Sequence, residues 1–321
     1  MLKIAVVIPC YKSAEHVLDV LGAIPNVVDL IYCVDDACPD KTGSLIEERI
    51  KDKRIQVIYH EHNQGVGGAM ITGYRAALGG SADVIVKIDS DGQMDPVLIP
   101  QFIKPIISGQ ADYAKGNRFF TPEFLDGMPK VRVLGNAGLS FLNKFSTGYW
   151  QIFDPTNGYT AIHAKVLKLL PLDKIAKGYF FESDMLFRLG TLRAVVIDVP
   201  QKSIYGDEES NVKISKALWG FAGAHLSNFF KRIIYSYFVR DFHVASIEWI
   251  LGPALLLFSL IFGTGAWIDS VQNGVEASAG TVMLAALPLI AGLQLTLSAL
   301  HFDIQNQPKT PLHKLTEEFV S

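Results

Sequence analysis

Val84-Ile85-Val86-Lys87-Ile88-Asp89-Ser90-Asp91-Gly92-Gln93 is the most informative run in the chain. Its first half is apolar and β-branched, the signature of a buried strand. Its second half sets two carboxylates one residue apart and follows them with a glycine. In a strand, residues i and i+2 share a face, so Asp89 and Asp91 can reach one point where the chain bends. Two hard oxygen donors there suit Mg²⁺ or Mn²⁺, and such a metal usually also holds substrate phosphates. The same residues can equally form an ordinary strand-to-turn junction, because Asp, Ser and Gly are common in turns.

Upstream, strand and helix patterns alternate. Residues 4–9 read as a strand, 13–21 as a helix with Ser13 as N-cap, and 30–34 as a strand ending at Asp35-Asp36. Residues 42–51 read as helix, 55–59 as strand, 65–78 as helix and 84–89 as the fourth strand. This alternation predicts an α/β fold with a doubly wound, mostly parallel sheet. Ligands of such sheets bind outside the carboxyl ends of the strands. Asp35-Asp36, the segment from His60 to Asn63, and Asp89 with Asp91 all fall at that edge. His60 and His62 flank Glu61 there, but no further ligand follows, so they read as a polar strand end and not as a metal site.

Downstream, residues 113–118 end in Gly-Asn-Arg and 131–145 read as a helix. Phe153-Asp154-Pro155-Thr156-Asn157-Gly158 is a turn signal before a short strand. Residues 180–189 read as a helix bearing Glu182 and Asp184, 194–199 as a strand, and 201–213 as a polar loop.

The bulk properties narrow the class. The 321 residues carry a net charge of −3, without the basic bias that would suggest a nucleic-acid partner. Mean hydropathy is +0.25, high for a wholly soluble protein, and the apolar excess lies towards the C-terminus. The three cysteines, Cys10, Cys33 and Cys38, offer no zinc-site spacing, and their odd number fits a reducing cytoplasm. The opening MLKIAVVIPCY is too short an apolar run for a signal sequence and contains a proline, so it reads as a first strand.

Residues 214–242 are rich in aromatics and carry Lys216, Lys231, Arg232 and Arg240. Apolar residues recur there at helical spacing (Leu218, Phe221, Ala222, His225, Phe229, Ile233). An interfacial amphipathic helix is expected, with a core helix as the alternative. Residues 249–267 and 281–300 are apolar runs of about 20 residues, the length that spans a bilayer; buried core helices are again the alternative. Between them, 268–280 holds Asp269 and Glu276 but no Lys or Arg. Basic residues lie outside the pair, with Lys309 and Lys314 after it. The positive-inside rule therefore places the N-terminal part and the C-terminus in the cytoplasm.

Taken together, Val7-Ile8-Pro9-Cys10-Tyr11, Val34-Asp35-Asp36-Ala37, Asn63-Gln64-Gly65-Val66-Gly67 and Asp89-Ser90-Asp91-Gly92-Gln93 resemble family 2 glycosyltransferases of the GT-A fold. With the 153–158 turn, the amphipathic segment and the two spans, the chain is similar to the polyprenyl-phosphate glycosyltransferases, the group that includes dolichol-phosphate mannose synthase. The resemblance implies a GT-A domain over 1–213, juxtamembrane helices over 214–245, two transmembrane helices over 246–302 and a cytoplasmic tail over 303–321. It implies an inverting transfer of a sugar from a nucleotide-sugar, a UDP-hexose first and GDP-mannose next, to undecaprenyl or dolichyl phosphate. The protein would be integral to the cytoplasmic membrane, with spans that could pack between copies as a homo-oligomer.

The resemblance also assigns residues. Asp89, Asp91 and Gln93 would hold Mg²⁺ or Mn²⁺. Pro9, Tyr11, Glu15, Asp36, Asp89 and Lys213 would contact the nucleotide-sugar, with Asp36 alternatively a helix cap. Here Lys12-Ser13 stands where the family often has Asn-Glu. Arg118 and Arg132 would hold the acceptor phosphate. Asp154 would orient the acceptor or act as a base, with a structural Asx turn as its alternative. Glu182 and Asp184 resemble an acidic pair placed near the acceptor, or are solvated helix charges. The loop 205–213 stands where relatives carry a gate over the diphosphate. A processive polysaccharide synthase is disfavoured because the Gln-x-x-Arg-Trp motif and additional spans are absent. A non-catalytic nucleotide-sugar sensor is disfavoured because Asp89, Asp91 and Asp154 are intact.

Overall fold

The computed structural model describes residues 2–125, 130–202 and 214–315, with the side chains of 125, 130–132 and 214–219 outside that set. The chain divides into two compact units: Met1–Phe229 with Pro308–Ser321, and Phe230–Gln307.

The first unit is built on a seven-stranded sheet, β1 (Ile4–Cys10), β2 (Leu30–Asp35), β3 (Ile55–Tyr59), β4 (Val84–Lys87), β5 (Tyr113–Asn117), β6 (Thr160–His163) and β7 (Val196–Pro200). The strand order is 3-2-1-4-6-5-7. β6 runs antiparallel to β4 and β5, and every other pairing is parallel. The central strands are apolar on both sides because helices cover both faces. Along β1, Ile4, Val6, Ile8 and Cys10 pack with α1 (Val17–Gly22), α2 (Thr42–Arg49) and α4 (Ile99–Ile107). The alternate residues Ala5 and Val7 pack with α3 (Gly65–Gly79), α6 (Ala164–Leu169) and α7 (Phe181–Leu192). The helix α5 (Lys130–Thr147) lies between β5 and β6 in the chain.

Two local expectations change. The first helix starts at Val17, and Ser13 does not cap it through its side chain. The Ser13 carbonyl accepts from Val17 N at 3.0 Å instead, and its Oγ is buried with no partner. The sequence reading leaves 96–107 unassigned. The structure has α4 there, with Pro100 in the first turn, where a missing N–H costs nothing. Asp95 opens the preceding turn by accepting from Val97 N at 2.9 Å.

The helix α8 (Ile214–Ile234) crosses the boundary between the units. Its first part packs on α5 and α7 through Phe221 against Phe180 and His225 against Ser146. Leu226 and Phe230 are exposed.

In the second unit a π-helical turn (Tyr235–Val239) leads to α9 (Val244–Asn273) and α10 (Ala279–Gln305). Both are long and apolar enough to cross a membrane, and most of their large apolar side chains are exposed. They pack closely where glycines meet. A Cβ on Gly252 would lie 2.6 Å from Thr296 Oγ1, and one on Gly292 would lie 2.9 Å from the Gly252 carbonyl oxygen. Arg232 pairs with Asp303 through two hydrogen bonds of 2.7 and 3.0 Å, and Tyr237 donates to the same carboxylate at 2.7 Å. A bidentate pair of this kind satisfies a buried Asp that the surrounding helices could not otherwise accommodate.

The chain then returns to the first unit. Leu312 N and His313 N donate to fully buried Asp112 at 2.8 and 2.9 Å, and His313 Nδ1 lies 2.6 Å from it. These contacts fix the short helix α11 (Leu312–Leu315), and the His313 ring stacks on His163 at 4.3 Å.

Candidate active site

The carboxyl ends of β2, β1 and β4 lie side by side, with Cys10 paired to Asp35 and Val7 to Lys87. Ser90 Oγ ties the end of β4 to that of β1 by donating to the Pro9 carbonyl at 2.8 Å. The two acids after β2 organise this edge. Asp35 accepts from Cys38 N and Gly43 N, both at 2.7 Å, which fixes the entry to α2. Asp36 accepts from Gln64 N and Gly65 N, both at 2.8 Å, at the N-terminus of α3. An anion is favoured there by the helix dipole and the orphan N–H groups. His60 adds a contact to Asp36 of 2.7 Å through Nδ1 and reaches Thr72 at 2.8 Å through Nε2. The Asp36 carboxylate is thus buried and holds the loop, the capping role given as its alternative. Around it, Tyr11 and Glu15 are exposed and Pro9 is half-buried at the same rim.

Asp89 sits above a lysine that the sequence reading passes over. Lys87 Nζ donates to Asp89 Oδ1 at 2.6 Å and to the Gly158 carbonyl at 3.2 Å. It also lies 3.3 Å from Glu182 Oε1. The lysine side chain is 1% exposed and Asp89 is 27% exposed. Burial disfavours the ammonium, but Asp89 and Glu182 outweigh it and hold Lys87 protonated. Burial pushes Glu182 up, with Lys87 opposing.

Gly158 closes over this pair. A Cβ there would collide with Lys87 Nζ and lie 2.5 Å from Asp89 Oδ2. At the other end of the same turn, Arg118, just after β5, meets Asp154 in a bidentate pair. Asp154 is fully buried and adopts φ = +53°. Asp tolerates that region better than most residues, at a cost that is common in functional sites. Asn157 Nδ2 donates to Asp154 Oδ2 at 3.2 Å, and buried Lys115 donates to the Asp154 carbonyl. Burial opposes the Asp154 charge, yet the Arg118 guanidinium holds the carboxyl below the usual range. An ionised carboxylate whose oxygens are taken by Arg118 orients that arginine; it is not set up as a free base.

Glu182 and Asp184 do not converge. Glu182 faces Lys87, whereas Asp184 accepts from Ala176 N at 2.9 Å and Arg188 Nε at 3.0 Å. Lys213 and the expected gate over 205–213 lie outside the described residues. Arg132 lies on α5, and its side chain is outside the described set.

Asp89, Asp91 and Gln93 offer two carboxylates and an amide oxygen, all half-buried. Among the described residues no group of three or more His, Cys, Asp or Glu forms a self-sufficient cage. This donor set fits Mg²⁺ or Mn²⁺, which usually completes its shell with water and substrate phosphate. Asp91 Oδ1 accepts from Gln93 N at 3.0 Å, which sets the turn that carries both side chains. The missed residue, Lys87, had a legible signal: a lone cation inside an apolar strand needs a buried counter-ion.

Comparison with known proteins agrees with this architecture. Residues 5–170 match glycosyl transferase family 2. A UDP-N-acetylglucosamine–dolichyl-phosphate N-acetylglucosaminyltransferase of Methanococcus voltae is 32% identical over 232 residues, covering 68% of this chain and 92% of that protein. An undecaprenyl-phosphate mannosyltransferase of Micrococcus luteus is 31% identical, over 62% of this chain and 82% of the relative. A polyprenol monophosphomannose synthase of Mycolicibacterium smegmatis is 27% identical, over 68% and 87%. Glucosyl-3-phosphoglycerate synthase of Mycobacterium tuberculosis, crystallised with Mn²⁺ and UDP, superposes with TM-score 0.52 at 19% identity, covering 72% of this chain and 79% of its own. That last likeness is one of fold.

Proposed function

The chain belongs to glycosyl transferase family 2, and from that premise we propose that it moves a sugar from a nucleotide-sugar to a polyprenyl phosphate. The activities of these relatives support the acceptor class. The observation that carries the reading is the turn from Asp154 to Gly158. One end fixes the Arg118 guanidinium, and the other closes on Asp89. Five residues thus join a cationic site to an acidic, metal-competent one, which is what a phosphate acceptor and a diphosphate leaving group require.

An acceptor phosphate is already ionised near neutral pH and needs no strong base. Its oxygen attacks the anomeric carbon as the bond to the nucleoside diphosphate breaks, the electron pair leaving with the diphosphate oxygen, and configuration inverts. Arg118, oriented by Asp154, binds and positions the acceptor phosphate through charge-assisted hydrogen bonds. Asp89, Asp91 and Gln93 would hold Mg²⁺ or Mn²⁺, which supplies Lewis-acid neutralisation of the diphosphate. Pro9, Tyr11 and Glu15 form the rim for the nucleoside. A UDP-sugar is the first donor choice, in line with the Methanococcus relative, and GDP-mannose is the second.

In this reading α9 and α10 span the membrane, and the Lys and Arg residues flanking them set the first unit on the cytoplasmic side. The lipid phosphate and a soluble donor then meet at the headgroup level. Donor turnover by the purified, detergent-solubilised protein with undecaprenyl phosphate and Mg²⁺ or Mn²⁺ tests the proposal. The panel is UDP-glucose, UDP-galactose, UDP-N-acetylglucosamine and GDP-mannose. Lipid-dependent release of one nucleoside diphosphate, lost on chelation, is expected. Absence of binding by every nucleotide would refute it.

A further inference from the structure

We propose that Lys87 is a positioning residue that restrains cation capture by Asp89, so that the divalent cation is held firmly only when a nucleoside diphosphate is present. The inference deepens the glycosyltransferase reading and rests on it.

Lys87 closes β4 in the interior of the sheet, between Val7 of β1 and Thr160 of β6. An ammonium has three protons to donate, and here each faces an acceptor: Asp89 Oδ1, Glu182 Oε1 and the Gly158 carbonyl. Stability does not explain such a residue, because an apolar side chain in place of a buried ion pair is often neutral or stabilising. The position of its charge does have a consequence. A fixed cation 2.6 Å from one oxygen of a metal ligand competes for that oxygen and repels an incoming divalent ion. A diphosphate brings the negative charge that offsets the repulsion.

Glu182 acts as the counterweight. It stands 3.3 Å from the same ammonium and draws part of its charge away from Asp89. Removing Glu182 leaves Lys87 wholly to Asp89, and removing Lys87 frees Asp89 entirely. The two changes must therefore shift cation affinity in opposite directions. A merely structural role for the lysine would weaken binding in both cases.

The test is Mn²⁺ binding to the full, detergent-solubilised chain, followed by the loss of the free-ion electron paramagnetic resonance signal, with and without UDP. The wild type is expected to bind weakly alone and more tightly with UDP. Lys87→Met should tighten UDP-free binding by about tenfold or more, shrink the gain from UDP and lower turnover. Glu182→Gln should weaken UDP-free binding. Equal or weaker Mn²⁺ binding by folded Lys87→Met overturns the proposal. Should that variant fail to fold, unchanged binding by Glu182→Gln overturns it. A wild type that binds no Mn²⁺ even with UDP removes both this inference and the metal assignment. A wild type that binds Mn²⁺ as expected but transfers no sugar refutes only the proposed reaction.

Discussion

Arg118 and Asp154 face each other through two hydrogen bonds, Nε to Oδ2 at 2.7 Å and Nη2 to Oδ1 at 2.6 Å. The carboxylate is buried, and its backbone is held in the left-handed region. Asp154→Asn keeps the shape but leaves the guanidinium without its counter-ion. Breaking a buried pair from one side costs about 3–5 kcal/mol. The variant should lose transfer with a raised KM for polyprenyl phosphate and a smaller change for the donor. Steady-state kinetics with both substrates varied reads this directly; a wild-type KM for the lipid would remove Asp154 from acceptor binding.

Asp91→Ala should abolish transfer while the protein folds and inserts, because Asp91 is half-buried at the turn and not part of the core. Thermal unfolding close to that of the wild type, together with turnover reduced at least about a hundredfold, is expected. Full activity in metal-replete buffer would sink the metal assignment.

His163 gives a pH dependence of stability. Burial, helped by neighbouring His313, drives it down to about 4. Lys165 adds to this, while Asp112 and Asp83 oppose it. The unfolded chain, with His near 6.5, binds the proton more readily than the folded one. The contribution of neutral His163 is therefore complete above pH 6.5 or so and is lost as pH falls towards about 4. His163→Asn retains an N-cap acceptor for α6 and removes the titration. Its unfolding temperature should fall less steeply than that of the wild type between pH 6.5 and 4.5 or so. Parallel curves would show that another group governs this range.

Gly252→Val should separate α9 from α10. The new Cβ would press on Thr296 Oγ1 and on Thr296 N at 2.9 Å, and helix backbone offers no room to yield. A loss of several degrees in the unfolding temperature of the detergent-solubilised protein is expected, whereas Gly265→Val, which faces open space, should leave it unchanged.

The strand–helix alternation was readable because each central strand is an uninterrupted apolar run and each polar cluster falls at its carboxyl end. The antiparallel setting of β6 was not, since a four-residue strand carries no sign of its direction. The placing of Asp89 and Asp91 at a strand end was readable from spacing, and that of Asp154 in a turn from its neighbours, but their partners were not. Arg118 and Asp154 are 36 residues apart, and Lys87 and Glu182 lie further apart still. Only the fold brings such pairs together. Asp36 carried two readings in the sequence, because a buried cap and a ligand-binding acid at a strand end look alike until hydrogen-bond partners are known.

The return of the chain to Asp112 has a topological consequence. The helical hairpin is an insertion, continuous at both ends with the same folded unit. If its helices cross a bilayer, both joints lie on one side of it, irrespective of how the flanking charges are distributed. A protease that cuts the later joint would leave residues 1–229 covalently moored through α8, whereas a cut at the earlier joint would leave them moored only by the docking of α11 on Asp112.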